Sequence, residues 1–265
     1  MQGDGPAFSL IVCSIDARKL DECVERYRRA VAPLALEVLA VRDARSLAEA
    51  YNRSLGRARA DRVIFSHDDA WPVSPRFGAR LVAHLAEVDI VGAAGATRAI
   101  SGFWAEAGQP DTHGHIVTPD AQTGAIHAWI FGAETTRIEG IRLLDGCFMA
   151  ARRDVALATG FDAERFDGFH LYDADFTLRA HAAGRRIAVA ADITVFHRSE
   201  GAFDDTWNRY HQRFMDKHAA LLDRGPRRQR RMGRLTFQSI EEAANGLDAA
   251  KIARLTPDQR AVRPG

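Results

Sequence analysis

Short apolar runs alternate with stretches of helical periodicity along the first part of the chain. Runs rich in apolar and β-branched residues predict buried strands at residues 8–13, 37–41, 63–65 and 90–94. Between these runs, apolar side chains recur at the spacing of an amphipathic helix. Ser46 followed by Glu49 matches a capping box at the start of the second helix. This alternation predicts an α/β fold with a mostly parallel central sheet, flanked by helices on both faces.

The alternation breaks after Gly95. Residues 99–137 contain many glycine, histidine, proline and threonine residues, together with Trp104 and Trp129. A segment of this length without a repeating pattern is usually functional or mobile when it lies inside a compact domain. We therefore expect residues 99–137 to form a mobile loop that shapes a binding pocket.

Strand and helix patterns return in the second half of the chain. Asp145-Gly146 interrupts one predicted strand, and Gly184 closes a short helix. The predicted elements are a strand at 142–152, a helix at 173–183, strands at 187–189 and 193–196, and a helix at 204–222. The second of the two later strands leads directly into His197.

The composition narrows the class of protein. Hydrophobic residues make up 46% and charged residues 27% of the 265 residues, which is typical of a globular protein. The formal net charge of +1 gives no reason to expect nucleic acid as a partner. The three cysteines lack the spacing of a metal site, and their odd number argues against a disulfide framework. Without a signal-peptide pattern or an apolar run of about 20 residues, the sequence favours a cytoplasmic protein.

An arginine cluster marks the region after residue 222. It contains six arginines and no acidic residue, namely Arg224, Arg227, Arg228, Arg230, Arg231 and Arg234. Either this is a solvated tail, or it binds phosphate, nucleic acid or an anionic membrane surface. We expect residues 223–265 to form an Arg-rich C-terminal tail, with peripheral contact to the inner membrane surface as a hypothesis. Lack of salt-sensitive binding to anionic vesicles would remove that hypothesis.

Polar residues collect where the predicted strands end. They are Cys13-Ser14, Arg42-Asp43, His67-Asp68-Asp69 and His197. In open α/β sheets, ligands bind beyond the carboxyl ends of the strands, so these residues are expected to face one crevice. Carboxylate oxygens bind Mg²⁺ or Mn²⁺, and Mn²⁺ also tolerates imidazole. The alternative for His67-Asp68-Asp69 is a turn at the end of a strand, in which an aspartate caps the next helix.

Five segments, read in order, resemble the A-type nucleotide-sugar glycosyltransferases, and most closely the glycosyltransferase-like branch of the inverting family 2 enzymes. They are SLIVCS, SLAEAYNRSLGRARADRVIFSHDDA, LLDGCFMAARRDV, GFDAERFDGFHLYDADFTLRAHAAGRRIAV and ITVFHRSEG, and they cover most of residues 8–201. The resemblance implies a Rossmann-like GT-A fold in a single domain over residues 1–222. Its nucleotide-binding half would span residues 8–98, and its acceptor and catalytic half residues 99–222.

The resemblance implies a metal site at His67-Asp68-Asp69, which aligns with the DxD motif that holds a divalent metal against the donor diphosphate. Asp69 is then the expected metal ligand, Asp68 meets the ribose or nucleotide, and His197 completes the metal shell. His67 stands where many members have the first aspartate, as a further candidate for metal or donor binding. This departure leaves open whether Mn²⁺ or Mg²⁺ is used, and whether a metal is required. The alternative for His197 is a structural histidine bonded to a backbone carbonyl.

The resemblance places the catalytic base in the segment LYDADF, which aligns with the ED segment of inverting members. Asp173 falls on the residue that serves as base, while Tyr172 replaces the usual acidic neighbour. The alternative for Asp173 is a carboxylate at a helix N-terminus, which the helix dipole favours and whose pKa it lowers. Asp175 lies about 200° further around the helix and is interpreted as structural or acceptor-binding.

Further residues are implied to bind the sugar or the donor. Asp145 and Gly146 align with the segment beneath the transferred sugar, although they could equally form a bulge or a turn. Trp104 is expected either to stack on a sugar face or to belong to the core. Asn52 either supports the nucleobase pocket or caps a neighbouring loop. The residues expected around the nucleobase are Cys13, Ser14 and Asp43.

On this resemblance, the chain is expected to move a sugar from a nucleotide-diphosphate sugar, most often UDP-linked, to a hydroxyl acceptor with inversion. The acceptor is expected to be a saccharide or a lipid-linked molecule. A non-catalytic or degenerate nucleotide-sugar-binding protein is an alternative that fits the departures at His67 and Tyr172. A sugar-phosphate nucleotidyltransferase fits less well, because the segment CSIDAR lacks the glycine-rich phosphate loop that such enzymes carry after the first strand.

Overall fold

The structure is a computed structural model of the chain. It describes residues 5–132, 135–199, 201, 203–226, 228–229 and 232–247. Three residues of the predicted arginine cluster, Arg227, Arg230 and Arg231, lie outside the described residues, as do residues 248–265 of the predicted tail. The described part forms an α/β fold with two sheets. No helix in it is long and apolar enough to cross a membrane.

The first sheet contains the four strands predicted before Gly95. Its strand order is β2-β1-β3-β11-β5-β12-β9. The strands are β1 (Phe8–Cys13), β2 (Leu36–Val41), β3 (Arg62–His67), β5 (Ile90–Gly92), β9 (Arg137–Glu139), β11 (Phe148–Arg152) and β12 (Ile187–Ala190). β1 runs parallel to β2 and β3, and β5 to β12, whereas β11 and β9 run antiparallel to their neighbours. The sheet is therefore mixed rather than strictly parallel.

Helices pack against both sheets. They are α1 (Ala17–Val31), α2 (Leu47–Leu55), α3 (Phe77–Glu87), α4 (Arg153–Thr159), α5 (Tyr172–Ala182), α6 (Asp205–His218) and α7 (Ile240–Gly246), with a 3-10 turn at Trp104–Ala107. Ser46 Oγ accepts the backbone N–H of Glu49 at 3.1 Å, which confirms the predicted cap of α2. α1 packs on α3, while α4 packs on α2 and α5, so these five helices form two groups.

A second sheet occupies the region that the sequence predicted as a mobile loop. Its strand order is β10-β6-β7-β13-β4, and β8 extends it by pairing with β7 and β14. The strands are β4 (Ala70–Pro72), β6 (Ala94–Ala96), β7 (Thr112–Pro119), β8 (Ile126–Gly132), β10 (Leu143–Leu144), β13 (Val195–His197) and β14 (Gly233–Phe237).

The prediction of a loop over residues 99–137 is wrong, because it missed the strands β7 and β8. In β8, apolar residues lie on both faces of the strand, so the pattern of a half-buried strand is absent. β8 buries Ile126, Ala128 and Ile130 on one face. Its other face carries Trp129 and Phe131, both partly buried, so apolar and polar residues do not alternate along the strand. The pairing of β8 with β7 and β14 gives this segment the regular structure that its composition obscures.

Short connections carry the chain from one sheet to the other around Asp145. Only Ala93 separates β5 from β6, and only residues 145–147 separate β10 from β11. The predicted interruption at Asp145-Gly146 is therefore confirmed, and its cause is a change of sheet. Both sheets meet here, which places the polar side chain of Asp145 at their junction.

The segment after residue 222 folds onto the second sheet. β14 pairs antiparallel with β8, and α7 packs on both strands. Arg228 Nε lies 3.1 Å from Asp111 Oδ2, and the Arg234 guanidinium lies 5.9 Å from the ring centroid of Trp129. The expectation of a solvated tail is wrong for residues 232–247, because the segment pairs with the edge that β8 would otherwise leave open. The domain limit between residues 222 and 223 stays a prediction.

Candidate active site

Strand pairing brings the predicted site residues to one place. Cys13, the last residue of β1, is the register partner of His67, the last residue of β3. His197, the last residue of β13, is the register partner of Ala70 in β4. Since only two residues separate β3 from β4, this second pairing places His197 beside His67, although 130 positions separate them in the chain.

His67, Asp69 and His197 form one group. Each offers a ligand atom, and these atoms all lie within 4.8 Å of one another. His197 Nε2 lies 3.4 Å from Asp69 Oδ1 and 3.4 Å from His67 Nδ1. Two imidazoles and one carboxylate suit Mn²⁺ and other transition metals better than Mg²⁺, which prefers oxygen ligands. The donor set therefore fits a divalent metal.

Burial and hydrogen bonding control the charges of this group. Asp69 is 7% exposed, and burial alone would raise the pKa of its carboxyl group. Hydrogen bonds with His197 and Ser199 outweigh burial and hold that pKa well below its usual range. Burial, and secondly the neighbouring His197, lowers the pKa of His67 to about 4. At neutral pH, Asp69 is therefore ionised and His67 neutral, which are the forms that bind metals.

Tyr172 contacts the ring nitrogen of His67 that faces away from His197. Tyr172 Oη lies 2.9 Å from His67 Nε2 and donates to the carbonyl oxygen of Gly146 at 3.3 Å. The hydroxyl has one hydrogen, so the tautomer of His67 that leaves a lone pair on Nδ1 is the one in which Nε2–H donates to Tyr172 Oη. Nδ1 is the nitrogen that faces His197. The two positions where the sequence departs from the family motifs are thus in direct contact.

Asp68 points to a different partner. Its Oδ2 accepts a hydrogen bond from Ser14 Oγ at 2.6 Å, just beyond the end of β1. The three consecutive polar residues therefore make three separate contacts: His67 with Tyr172, Asp68 with Ser14, and Asp69 with His197. A turn or a helix cap needs at most one such side chain, so the turn interpretation does not account for the set.

Asp173 lies in the first turn of α5, next to a second carboxylate. Burial, and secondly the charge of Asp145, raises the pKa of Asp173 to about 7. A Cβ atom at Gly146 would stand 2.6 Å from Asp173 Oδ2, so the glycine permits the approach of this carboxylate to the backbone. The alternative of a helix-dipole carboxylate predicts a lowered pKa, which burial overrides here.

Asp145 is held in place by two hydrogen bonds. Trp104 Nε1 donates to Asp145 Oδ2 at 3.0 Å, and the backbone N–H of Cys147 donates to Oδ1 at 2.9 Å. Trp104 is only 6% exposed, and its ring packs edge-on against Phe131. The suggestion that Trp104 stacks on a sugar is therefore wrong for this structure, because protein covers the ring. Trp104 belongs to the core and orients Asp145.

Asp175 does not face the site. It is fully buried, and Arg179, Lys217 and His218 surround its carboxylate. His218 Nε2 lies 2.7 Å from Oδ1, and Arg179 Nε lies 2.9 Å from Oδ2. Of its two interpretations, acceptor binding is wrong because an acceptor cannot reach the carboxylate. Asp175 instead anchors α5, and with it Asp173, to α6.

The residues expected on the donor side are only partly brought together. Asp43 is largely exposed and pairs with Arg53 at 2.9 Å. Asn52 makes two hydrogen bonds of 2.8 Å with the backbone of Phe161, so it caps a neighbouring loop. Burial raises the pKa of Cys13 to about 12, which leaves its thiol protonated and unreactive at neutral pH.

Two polar residues near these groups were not singled out from the sequence. Arg53 pairs with Asp43 and also with Glu49, at 3.0 Å. Its spacing of four residues from Glu49 on one helix face was the available signal. Ser199 Oγ lies 3.3 Å from His197 Nε2, and no motif in the sequence marks it. The pairing of Arg53 with Asp43, ten positions earlier in the chain, depends on the folded structure.

Comparison with known proteins identifies a family. The family model described as "Glycosyltransferase like family" matches residues 9–218. No curated protein matches the chain.

Several solved structures are similar to the chain at low identity. A mannosyltransferase from Pyrobaculum calidifontis, in complex with GDP-Man and Mn²⁺, is 15% identical over 95% of this chain and 71% of that chain, with a TM-score of 0.49. TarS from S. aureus, in complex with UDP, is 12% identical over 80% of this chain and 72% of that chain, with a TM-score of 0.45. GalNAc-T7 with UDP, GalNAc and Mn²⁺ is 9% identical over 80% of this chain and 48% of that chain, with a TM-score of 0.49. These likenesses are too distant to assign a ligand to this chain.

We expect Asp173→Asn to stabilise the protein at pH 8 but much less at pH 5. A carboxyl group whose pKa is raised on folding costs stability as the pH rises from its unfolded value towards about 7, at about 1.4 kcal/mol per pKa unit. The asparagine avoids that cost, so the difference in free energy of unfolding should grow over this range and stay constant above it. Urea unfolding of both proteins at the two pH values measures it. An equal difference at both values would show that Asp173 has an ordinary pKa.

Proposed function

Because this chain belongs to the glycosyltransferase-like family, we propose that it moves a sugar from a nucleotide-diphosphate sugar to a hydroxyl acceptor with inversion. The observation that carries the proposal is the group of His67, Asp69 and His197, whose ligand atoms lie within 4.8 Å of one another and which Tyr172 joins to the turn of α5 that carries Asp173. Burial beside Asp145, at the junction of the two sheets, raises the pKa of Asp173 to about 7. The candidate metal ligands lie at the same junction, since Asp145 also acts electrostatically on His67. An inverting transfer requires such a base together with cationic stabilisation of the diphosphate leaving group.

Asp173 is the general base in this proposal. Its carboxylate accepts the proton of the acceptor hydroxyl while the acceptor oxygen forms a bond to the anomeric carbon. On the opposite face of the sugar, the bond from that carbon to the diphosphate oxygen breaks, and its electron pair leaves with the nucleoside diphosphate. A base works best when its pKa lies near the working pH, which is what burial beside Asp145 provides for Asp173.

His67, Asp69 and His197 would hold a divalent metal, and the two imidazoles favour Mn²⁺ over Mg²⁺. A bound metal supplies positive charge that stabilises the charge developing on the diphosphate. Asp69 contributes an ionised carboxylate to this site. In this proposal, Tyr172 accepts the hydrogen of His67 Nε2, so that Nδ1, which faces His197, presents its lone pair to the metal.

The donor is proposed to be a UDP-sugar, on the strength of the family resemblance. Ser14 and Asp68, joined by a hydrogen bond beyond the end of β1, and Asp43 beyond the end of β2 are the proposed nucleoside contacts. Cytoplasmic location and peripheral membrane contact are also proposals. Arg224, which is exposed, is the described arginine of the cluster that would serve such contact best.

We expect Asp173→Asn to bind UDP and UDP-sugars like the wild type but to lose transfer by about 10² to 10⁴-fold, because an amide cannot accept the proton. Wild-type transfer should increase with pH up to about 7, since the base acts only when ionised. Calorimetric titration of the donors in the presence of Mn²⁺, followed by product assays between pH 5 and pH 8, checks both expectations. Normal transfer by the variant contradicts the assignment. Donor binding without any wild-type turnover favours the non-catalytic alternative.

We expect Asp69→Asn to abolish specific Mn²⁺ binding and Tyr172→Phe to weaken it by about 10 to 100-fold, because loss of the hydroxyl leaves His67 unoriented. Mn²⁺ titration followed by electron paramagnetic resonance measures this without any nucleotide. Tyr210→Phe is the matched control, since its hydroxyl bonds to exposed Asp167 instead. Equal affinity in Tyr172→Phe and Tyr210→Phe would show that the Tyr172 hydroxyl does not orient a metal ligand.

A further inference from the structure

A polar cavity lies at the end of the first sheet opposite to the candidate active site. It has a volume of about 400 Å³ and is bordered by the last turn of α3 at Leu85 and Ala86. Three arginines and two aspartates complete the lining of this arginine cavity, namely Arg62, Arg152, Arg153, Asp61 and Asp154. Arg62 begins β3 and His67 ends it, so about 17 Å of strand separates the arginine cavity from the candidate metal ligands.

Strand pairing brings the three arginines together. Arg62, the first residue of β3, is the antiparallel register partner of Arg152, the last residue of β11. Arg153 follows directly as the first residue of α4, and its backbone N–H donates to the carbonyl oxygen of Asp61 at 2.8 Å. Two segments that are far apart in the sequence thus place three arginine side chains around one cavity.

The protein neutralises only one of these three guanidinium groups. Arg152 Nη2 lies 3.0 Å from Asp154 Oδ2, and Arg152 Nη1 lies 3.8 Å from Asp89 Oδ1. Within the described part of the chain, neither Arg62 nor Arg153 has an ion pair or a side-chain hydrogen bond, and Arg153 Nε is buried. A buried donor without an acceptor costs free energy, which a ligand with acceptor oxygens would recover.

The carboxylates of the arginine cavity do not cancel this charge. Asp154 is paired with Arg152, whose hydrogen bond holds the pKa of that carboxyl group below its usual range. Asp61 is exposed, so water weakens its interactions with other charges. Arg62 and Arg153 are half-buried, and charges interact more strongly there than in water. Two positive charges therefore border the cavity together with one solvated negative charge.

We propose that the arginine cavity binds a phosphate group and that Arg62 and Arg153 hold it. Guanidinium groups bind phosphate oxygens through paired N–H donors, and a dianion matches the two unpaired positive charges. A volume of about 400 Å³ lies in the range of small-molecule sites and exceeds the size of one phosphate. The cavity therefore also accommodates an organic group attached to the phosphate, with Leu85 and Ala86 as its apolar contacts.

Calorimetric titration of the full chain tests the inference. The protein is first dialysed free of divalent metal, so that no metal at His67, Asp69 and His197 recruits phosphate. The probes are inorganic phosphate, glycerol 3-phosphate and succinate, each at equal ionic strength. We expect inorganic phosphate to bind the wild type, and Arg62→Gln and Arg153→Gln each to weaken that binding by about 10 to 100-fold. Each variant removes charge-assisted hydrogen bonds to the phosphate.

Arg57→Gln is the matched control, because Arg57 is exposed and does not line the cavity, while its loss changes the net charge equally. Arg62→Lys and Arg153→Lys form a second pair of variants that remains informative if glutamine prevents folding. Lysine keeps the positive charge but lacks the paired N–H donors, so phosphate affinity should still fall. Circular dichroism verifies that each variant is folded.

Tighter binding of glycerol 3-phosphate than of inorganic phosphate supports a phosphorylated small molecule as the ligand, and equal affinity supports phosphate itself. Absence of phosphate binding to the wild type would overturn the inference. The same holds if succinate binds as tightly as phosphate, since the cavity would then accept any dianion. Equal weakening by Arg57→Gln would also overturn it, because the attraction would then come from net charge, as would wild-type affinity in every folded variant of Arg62 and Arg153.

Discussion

The antiparallel pairing of β4 with β13 is the contact on which the site depends. Each strand has only three residues, so backbone hydrogen bonds alone would hold them weakly. Trp71 in β4 and Phe196 in β13 are register partners; both are buried, and their ring centroids lie 4.8 Å apart. Burial of these two rings stabilises the pairing. The pairing in turn places His197 against Asp69, so an apolar contact positions the polar group.

Two aspartates on α5 show how surroundings decide the chemistry of one side chain type. Asp175 is buried, which alone would raise its pKa, but His218, Arg179 and Lys217 outweigh burial and lower that pKa. Asp173, two positions earlier, is near another carboxylate, and its pKa is raised. The first arrangement stabilises α5 through paired charges, while the second costs stability and yields a base that can exchange a proton near neutral pH. The helix thus combines an anchor with a reactive group.

The polar groups of the candidate site are supplied by both sheets. The strand ends of the first sheet provide Ser14 and Asp68, while β13 of the second sheet provides His197. Asp145 lies at the junction of the two sheets, where Trp104 orients it. The contact between His67 and Tyr172 joins β3 to α5 and connects the two positions that depart from the family motifs. A histidine at position 67 needs a partner for its second nitrogen, and a tyrosine at position 172 provides it.

By itself, the sequence determined the strands and helices before Gly95, the cap at Ser46, the family and the positions of most polar groups at strand ends. These follow from local apolar spacing and from short motifs, which need no knowledge of distant residues. Only the tertiary structure decided that residues 112–132 pair as strands, that Trp104 is covered and that Asp175 is an anchor. It also decided the bond between His67 and Tyr172, which are 105 positions apart, and the raised pKa of Asp173. The physical reason is that burial and partner charge depend on what packs around a side chain, and contacts between distant segments leave no periodic pattern in the chain.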